Sequence, residues 1–588
     1  MKTKYFRISL LTLFILGSVI SCQDYLVIDP VSSFGPDYVF GDVANATKAV
    51  IGAYSPLGGD NGYGIRVTMY YPYDNDEMMG QGATPYPDNE RRDIAHYNVQ
   101  PSNTQLATPF NQMYAGIERA NICIYYIPKM AQYTSGTDDE QKELKRLHGE
   151  ALTLRAQYYY ELIRNWGDVP AQFLPSSFET DLFKAREDRD VIYDHILADL
   201  ADASALVPWR SQAGTTERIT QGAVRGLRAR IALARGGYSL RSDNVMKRPA
   251  NYKEFYQIAK DECTAIMNSG EHKLNSSFQS VFKNAIAAHT MEPNGEVIWE
   301  ISMTGGTSGT GDSKLGYYNG PRVNLNGNGA LTILPTYFYS FDANDTRRDV
   351  TCAPYDVNLD GTVTARTLVT MVDGKFRRDW ITNPTPSPTS TQQYFGLNWP
   401  VIRYSDVLLM FAEADNELSG APSSAAITAF EQVRKRAFGA SAIGTTPTDY
   451  TGFFNAIVKE RSYEFGGEGI RKYDLIRWNL LSQRLSETKA NLAAMAAGQP
   501  PYNNLPATMY YKSASTSVIW LNPLTTPTPS SPPAGSTSVA WVVTGSASTI
   551  TTTILTYYAV SFTPGKSELL PIATSVLDSN PSLTQNNF

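Results

Sequence analysis

Apolar residues return every three or four positions along two long stretches of this chain, and the rhythm breaks in three others. That period predicts amphipathic helices. In the first stretch they fall at about residues 42–54, 110–127, 138–166, 190–206, 220–235 and 252–267. The plainest is 138–166, where Leu144, Leu147, Ala151, Leu154, Tyr158 and Leu162 make one stripe. Asp138 and Asp139 sit in its first turn, where acids suit the helix dipole, and Gly167 and Pro170 end it. The second stretch predicts helices at 403–418, 425–437, 450–465 and 472–485. Between these lie 58–109, dominated by Gly, Pro, Asn, Asp and Tyr, and 272–398, with short strand-like pieces such as 296–302. The third break, 500–562, is rich in Ser, Thr and Pro, and its β-branched run 539–554 predicts a hairpin.

Successive amphipathic helices with no strands between them suggest stacked helical hairpins, with any repeat degenerate. A loop as long as 58–109 inside a compact domain is usually functional or disordered, and this one is too aromatic for disorder.

The N-terminus changes the picture. Lys2, Lys4 and Arg7 precede an apolar run from Ile8 to Ile20, closed by Ser21-Cys22. The run is too short to cross a bilayer of about 30 Å and reads as an export signal. A cysteine after a small residue at its end is the pattern of a lipoprotein signal, with Cys22 acylated as the new N-terminus. A plain secretory signal with a chance cysteine is the alternative. Two or more acyl chains would make such an anchor stable. Cys123, Cys263 and Cys352 remain and cannot all pair; Cys123 and Cys263 read as small buried hydrophobes.

Composition is that of an ordinary globular chain, 588 residues with 42% hydrophobic and 18% charged. Net charge is −6 with no basic block or stripe, which gives no sign of nucleic acid. The unusual count is 36 tyrosines. Tyrosine suits wet binding surfaces and also fills large helical cores.

Several segments together resemble the SusD/RagB-like outer-membrane nutrient-binding lipoproteins of Bacteroidetes. Glu460-Arg461-Ser462-Tyr463-Glu464-Phe465 followed by Glu468-Gly469-Ile470-Arg471-Lys472-Tyr473-Asp474-Leu475-Ile476-Arg477-Trp478 matches every fixed position of that family's ER-x-x-E-x-x-x-E-G-x-R-x-x-D-L-x-R-W pattern. Arg164-Asn165-Trp166-Gly167-Asp168-Val169-Pro170 is similar to its R-x-W-G-D-V-P turn, and Glu296-Val297-Ile298-Trp299-Glu300 to its E-V-I-W-E strand. Pro400 to Met410, the Leu569-Leu570-Pro571-Ile572 segment and Asp24-Tyr25-Leu26 fit in the same order.

The resemblance implies a mainly α fold: a tetratricopeptide-like helical-hairpin scaffold with a loop-rich lobe containing short strands. It implies a signal peptide at 1–21 and one domain at 22–588. The scaffold would occupy about 37–270 and 400–490, the lobe about 271–399, and a C-terminal extension about 491–588. It also implies a role: a lipid-anchored lid on a SusC-like TonB-dependent barrel transporter, facing the cell exterior, which captures a ligand for import. Glycans are the commonest ligand class; some relatives handle peptides.

Catalytic chemistry has one candidate. Glu460 and Glu464 lie one helical turn apart, as paired carboxylates of a glycoside hydrolase would. The alternative is a structural network in which Arg461, Arg471 and Arg477 satisfy Glu460, Glu464, Glu468 and Asp474. The five histidines have no metal-ligand spacing, and Gly305 to Gly311 lacks the ending of a P-loop. Asp356, Asn358 and Asp360 open like a structural calcium loop, but Thr367 stands where the closing acid belongs, so the segment reads better as an Asx-stabilised turn. No cofactor is expected.

Binding is the better case. A sugar ring offers an apolar C–H face to an aromatic ring and a rim of hydroxyls to Asn, Asp, Gln and Arg. The resemblance places ligand contacts in the early loop and the middle lobe. The residue types best suited there are Tyr73, Asn75, Tyr86, Arg91 and Arg92 in the first, and Tyr317, Tyr318 and Trp380 in the second. Trp166, Trp299 and Trp478 lie in scaffold motifs and read as core.

Overall fold

The structure, a computed structural model, describes residues 35–81, 87–306, 309–382 and 384–586. The signal segment, Cys22 and Tyr86 lie outside the described residues.

The helical rhythm becomes the scaffold. Six helices form its first part: α1 Val43–Tyr54, α2 Ala107–Tyr126, α3 Asp138–Trp166, α4 Arg189–Ser204, α5 Gln221–Gly236 and α6 Tyr252–Asn268. Their starts are set by local chemistry. Asp42 caps α1, Thr220 caps α5, and Thr137 with Glu140 forms a reciprocal capping box on α3. Gly167, at φ 77°, takes the turn out of α3 in a conformation that favours glycine. Neighbours in sequence pack as neighbours in space, α2 on α3, α3 on α4 and α5 on α6. The second part holds α7 Tyr404–Ser419, α8 Ser424–Phe438, α9 Tyr450–Phe465, α10 Arg471–Arg477 and α11 Leu481–Ala496. Helix α7 packs on α6, which joins the two parts into one helical-hairpin stack. The fold is mainly α and tetratricopeptide-like, as expected. Among the described residues, no helix is long and apolar enough to cross a membrane.

Two expectations fail locally. The helix read at 472–485 is two helices, because Asn479 adopts a left-handed φ of 58° between α10 and α11. Asparagine tolerates that conformation better than most side chains. The hairpin read at 539–554 does not form. Ile550 and Ile554 are buried four residues apart, a helical spacing, and Thr551–Leu555 is a helical turn. The sheet lies earlier, with Thr508–Ala514 between Ser517–Trp520 and Thr537–Ala540.

The lobe is clamped at both ends. Val297–Ile301 enters it and Trp399–Arg403 leaves it, and these strands pair antiparallel. A second sheet stitches the early loop to the lobe: Met78 opposes Ile333 and Met79 opposes Thr332, with Val372–Asp373 and Cys352–Ala353 beyond. Two loop regions about 250 residues apart are thereby held side by side.

Many tyrosines are core. Tyr71 donates to the Gln105 carbonyl at 2.8 Å and Tyr158 to the Ala53 carbonyl at 2.7 Å, so each hydroxyl is buried with a partner. Trp166, Trp299 and Trp478 are buried, as are the free thiols of Cys123, Cys263 and Cys352. Residues far along the chain close over Trp166. Its indole N–H donates to the Pro571 carbonyl at 3.1 Å, and Asn586 donates to the Trp166 and Leu570 carbonyls.

Candidate functional site

The paired carboxylates come first, because they decide between chemistry and structure. Glu460 and Glu464 lie on α9, buried side by side. Arg347 donates to Glu460 at 2.7 Å and to Glu464 at 3.1 Å. Arg434 takes the other oxygen of Glu460 at 3.0 Å. Arg403 bridges Glu296, Glu464 and Glu468, and Arg436 joins Glu296 to Glu464. Burial alone would raise the Glu464 carboxyl, but Arg436, Arg403 and Arg347 outweigh it and hold it well below the usual carboxylate range. A general acid must keep its proton near neutral pH, so this pair is built as an ion network. Of the expected pairings, only those at Asp474 form. Arg461 and Arg477 hold Asp474, with Asp406 and Glu413 as further partners, and Arg471 grips Asp76 at 2.7 and 2.8 Å.

The expected binding residues divide. Tyr73 is 0% exposed inside the core, and its side chain is walled in near Gly80. Asn75 is equally buried and turned inward. Its amide donates to the Pro72 carbonyl, and its oxygen accepts from the Glu77 and Met78 backbone N–H groups. Trp380 is 4% exposed with the Arg377 guanidinium 4.6 Å from its ring centre. These three are therefore structural, since no ligand reaches a side chain already enclosed. The residue types were right for recognition, but the early loop folds inward to meet the sheet. Tyr86 lies outside the described residues.

Arg91, Arg92, Tyr317 and Tyr318 stay part-exposed. A helical turn, Leu315–Tyr318, presents the two tyrosines edge to face, with centroids 5.3 Å apart and planes at 82°. Their backbone is pinned from behind, where Asn328 and Ala330 donate to the carbonyls of Tyr317 and Tyr318 at 2.7 Å. Arg92 pairs with Asp88 at 3.1 Å, and Arg91 reaches Glu90 at 3.7 Å.

Tyr70 lies between the two regions. Burial pushes its hydroxyl up to about 12, the Tyr318 phenol adds to the rise, and the charges of Arg91, Arg66 and Lys314 oppose it. Arg66 sits 6.0 Å from the Tyr70 ring centre, held by Gln105 at 3.0 Å and by the Asp60 carbonyl at 2.9 Å. Lys314 meets the Asp60 carboxylate at 3.2 Å and lies 4.8 Å from the Tyr394 ring centre, whose hydroxyl also donates to Asp60 at 3.0 Å. Arg378 lies beside Tyr317 and covers the Phe395 ring at 4.7 Å.

Arg91 and Tyr318 thus both lie within electrostatic reach of Tyr70, and Arg66, Lys314, Tyr394 and Arg378 join the same region. The signal for Lys314 was its place just before Tyr317 in a glycine-rich loop. For Arg66 and Arg378 the sequence holds none, because each is one arginine among many. Chemically the surface offers two part-exposed phenol rings at right angles, with directional donors at their edges. That suits a flat ring with an apolar face and a polar rim.

The calcium-like segment is the turn of a hairpin, Tyr355–Val357 with Val363–Ala365. Asp360 accepts from the Thr362 backbone and hydroxyl, Asn358 bonds Thr362 and Thr364, and Asp356 accepts from Arg322 and Arg366. Among the described residues, no three His, Cys, Asp or Glu side chains gather as a metal site.

Comparison with known proteins gives two family-model matches: the SusD family over residues 370–588, and "starch-binding associating with outer membrane", a SusD-like model, over residues 67–233. SusD-like protein P25 of Formosa agariphila is 25% identical over 507 residues, 80% of this chain and 89% of that protein. SusD-like protein P2 of the same organism is 25% identical and covers 81% and 91%. Among solved structures, a SusD homolog from Bacteroides thetaiotaomicron superposes with TM-score 0.75 at 22% identity, covering 94% of this chain and 98% of that one. Surface glycan-binding protein A from the same species, solved with laminarihexaose, gives TM-score 0.63 at 19% identity over 93% and 99%.

Proposed function

This chain belongs to the SusD/RagB-like family, and from that premise we propose that it is a cell-surface glycan-binding lipoprotein. It captures oligosaccharides and delivers them to a partner TonB-dependent outer-membrane transporter, without cleaving them. The observation that carries the reading is the Tyr317–Tyr318 pair, pinned by backbone hydrogen bonds and edged by Arg91, Arg66 and Lys314 around Tyr70. A rigid pair of rings loses little entropy when a sugar stacks on it. Two further findings support the reading. The matched model over residues 67–233 describes starch-binding proteins that associate with the outer membrane, and one structural neighbour was solved with a bound glucan. The carboxylate pair that would have served hydrolysis is neutralised by arginines.

Lipid anchoring at Cys22 and outward orientation belong to the same proposal and rest on the sequence pattern. The test is binding of the purified protein to an array of plant, host and microbial polysaccharides, with the sugars analysed after incubation. Retention with intact glycan supports capture. Shortened glycan that Glu464→Gln leaves intact would select the hydrolase. Affinity for peptide mixtures with none for glycans would select a peptide importer on the same scaffold.

A further inference from the structure

Buried arginines in this protein follow a rule. Ten are buried among the described residues, and nine of them hold a carboxylate at salt-bridge distance. The exception is Arg378, which is 2% exposed. Its Nη2 donates to the carbonyls of Ser387 and Ser390 at 3.1 Å, and its Nη1 is buried with no acceptor. Asp379 is adjacent, but both its oxygens are held by Arg377. A guanidinium without a carboxylate partner is costly to bury, and this one covers the Phe395 ring at 4.7 Å, which in turn lies against Gly316 in the turn that carries Tyr317 and Tyr318.

The neighbouring cations repeat the imbalance. Arg66 is held only by the neutral Gln105 side chain and the Asp60 carbonyl, and it forms no salt bridge among the described residues. Arg322 donates to the Asn328 carbonyl, is likewise without a salt bridge, and keeps a buried Nε without an acceptor. Arg91 also keeps a buried Nε without an acceptor, and its contact with Glu90 is a loose 3.7 Å. Asp60 is shared between Lys314 and Tyr394. The patch is thus positive on a chain whose formal charge is −6.

We propose that this surface selects glycans that carry acidic groups, uronate carboxylates or sulfate esters. The sugar ring stacks on Tyr317 or Tyr318, Arg66 and Arg91 take the acidic oxygens, and Arg378 holds the field positive beneath Tyr317. The inference rests on the glycan-capture reading and names its substrate class. The chemistry fits because a guanidinium fork matches two anionic oxygens in one plane, whereas a neutral hydroxyl leaves most of its donors unused. Charge buried beneath the surface is also screened less by salt than charge at the rim.

The experiment uses matched polysaccharides that differ only in charge. One pair is polygalacturonate and its fully methyl-esterified form; the other is a sulfated galactan and its desulfated form. Affinity of the purified protein is measured for each by gel retardation and calorimetry. The acidic member of at least one pair should bind about tenfold or more tightly, the scale of one charge-assisted contact. The pair that responds tells carboxylate from sulfate. Arg66→Gln and Arg91→Gln should each erase most of that preference with the melting temperature unchanged. Arg378→Gln should do so as well, and Arg378→Lys should restore part of it, which separates charge from folding. Equal affinity for both members of both pairs would overturn the proposal and leave glycan capture standing, as would tight binding to laminarin and to neither acidic glycan. Retention of no glycan at all would remove both.

Discussion

The centre of the scaffold and the lobe surface are built from the same residue types, and they use them oppositely. Around α9 each arginine side chain meets carboxylates: Arg347, Arg403 and Arg436 share Glu296, Glu460, Glu464 and Glu468 with hydrogen bonds of 2.5 to 3.1 Å. Around Tyr317, the guanidinium groups of Arg378 and Arg322 meet only neutral carbonyls. Tyrosine shows the same split. Tyr71 and Tyr158 are buried with their hydroxyls bonded to backbone, whereas Tyr317 and Tyr318 keep part of their rings open. In a closed network, removing one charge strands others. On the open surface, charge stands ready for something outside the chain.

The sharpest break of that contrast is Arg403→Met. It leaves Glu296, Glu464 and Glu468 short of a buried partner, and should cost about 3–5 kcal/mol, read by urea denaturation. A loss below about 1 kcal/mol would mean the network is better solvated than its burial implies.

Glu77 tests the same interior by pH. Burial pushes its carboxyl up to about 8, against the opposing charge of Arg471. The unfolded value is about 4.3. Between the two the folded state keeps a proton that the unfolded state has lost, so stability falls as pH rises across that window, with a slope of up to about 1.4 kcal/mol per pH unit. Glu77→Gln removes the titration. Its melting temperature should gain on the parent's from about pH 5 to about pH 9, and parallel curves would refute the assignment.

At the lobe surface the effect is smaller and of another kind. Tyr318→Ala should weaken glycan binding about three- to tenfold with an unchanged melting temperature. Tyr73→Ala should do the reverse, lowering stability first. The smallest effect is a pure scaffold control. Thr137→Ala removes the capping box of α3 and should cost about 1 kcal/mol while binding holds.

The helices were legible because their information is local. The stripe from Leu144 to Leu162 and the acids of the first turn specify α3 without help from elsewhere. The charge density of 460–478 could be read as a structural network, but its partners could not. Arg347 and Arg403 come from residues 113 and 61 positions away from the carboxylates they hold. The site was legible only in part for the same reason. Tyr73 and Tyr318 are the same residue type in loops of similar composition. What separates them is a short strand, Met78–Met79, that draws the early loop against the lobe sheet and leaves Leu315–Tyr318 facing out. The unpaired state of Arg378 is invisible in one dimension, since composition counts charges and not pairs.

The closure over Trp166 sets a timetable. Its indole hydrogen bond reaches 405 residues ahead, and the Asn586 contact reaches 420. In chain order the end of α3 therefore emerges 405 residues before the proline that covers its last tryptophan. During that interval the Trp166 ring has Tyr71 and Phe110 edge-on against it, with centroids 5.7 and 5.3 Å away, but not the segment that takes its indole N–H. Contacts of such long reach are formed late and slowly. Until Pro571 and Asn586 arrive, the indole N–H and the backbone carbonyl of Trp166 lack their partners, an open seam that a chaperone can occupy.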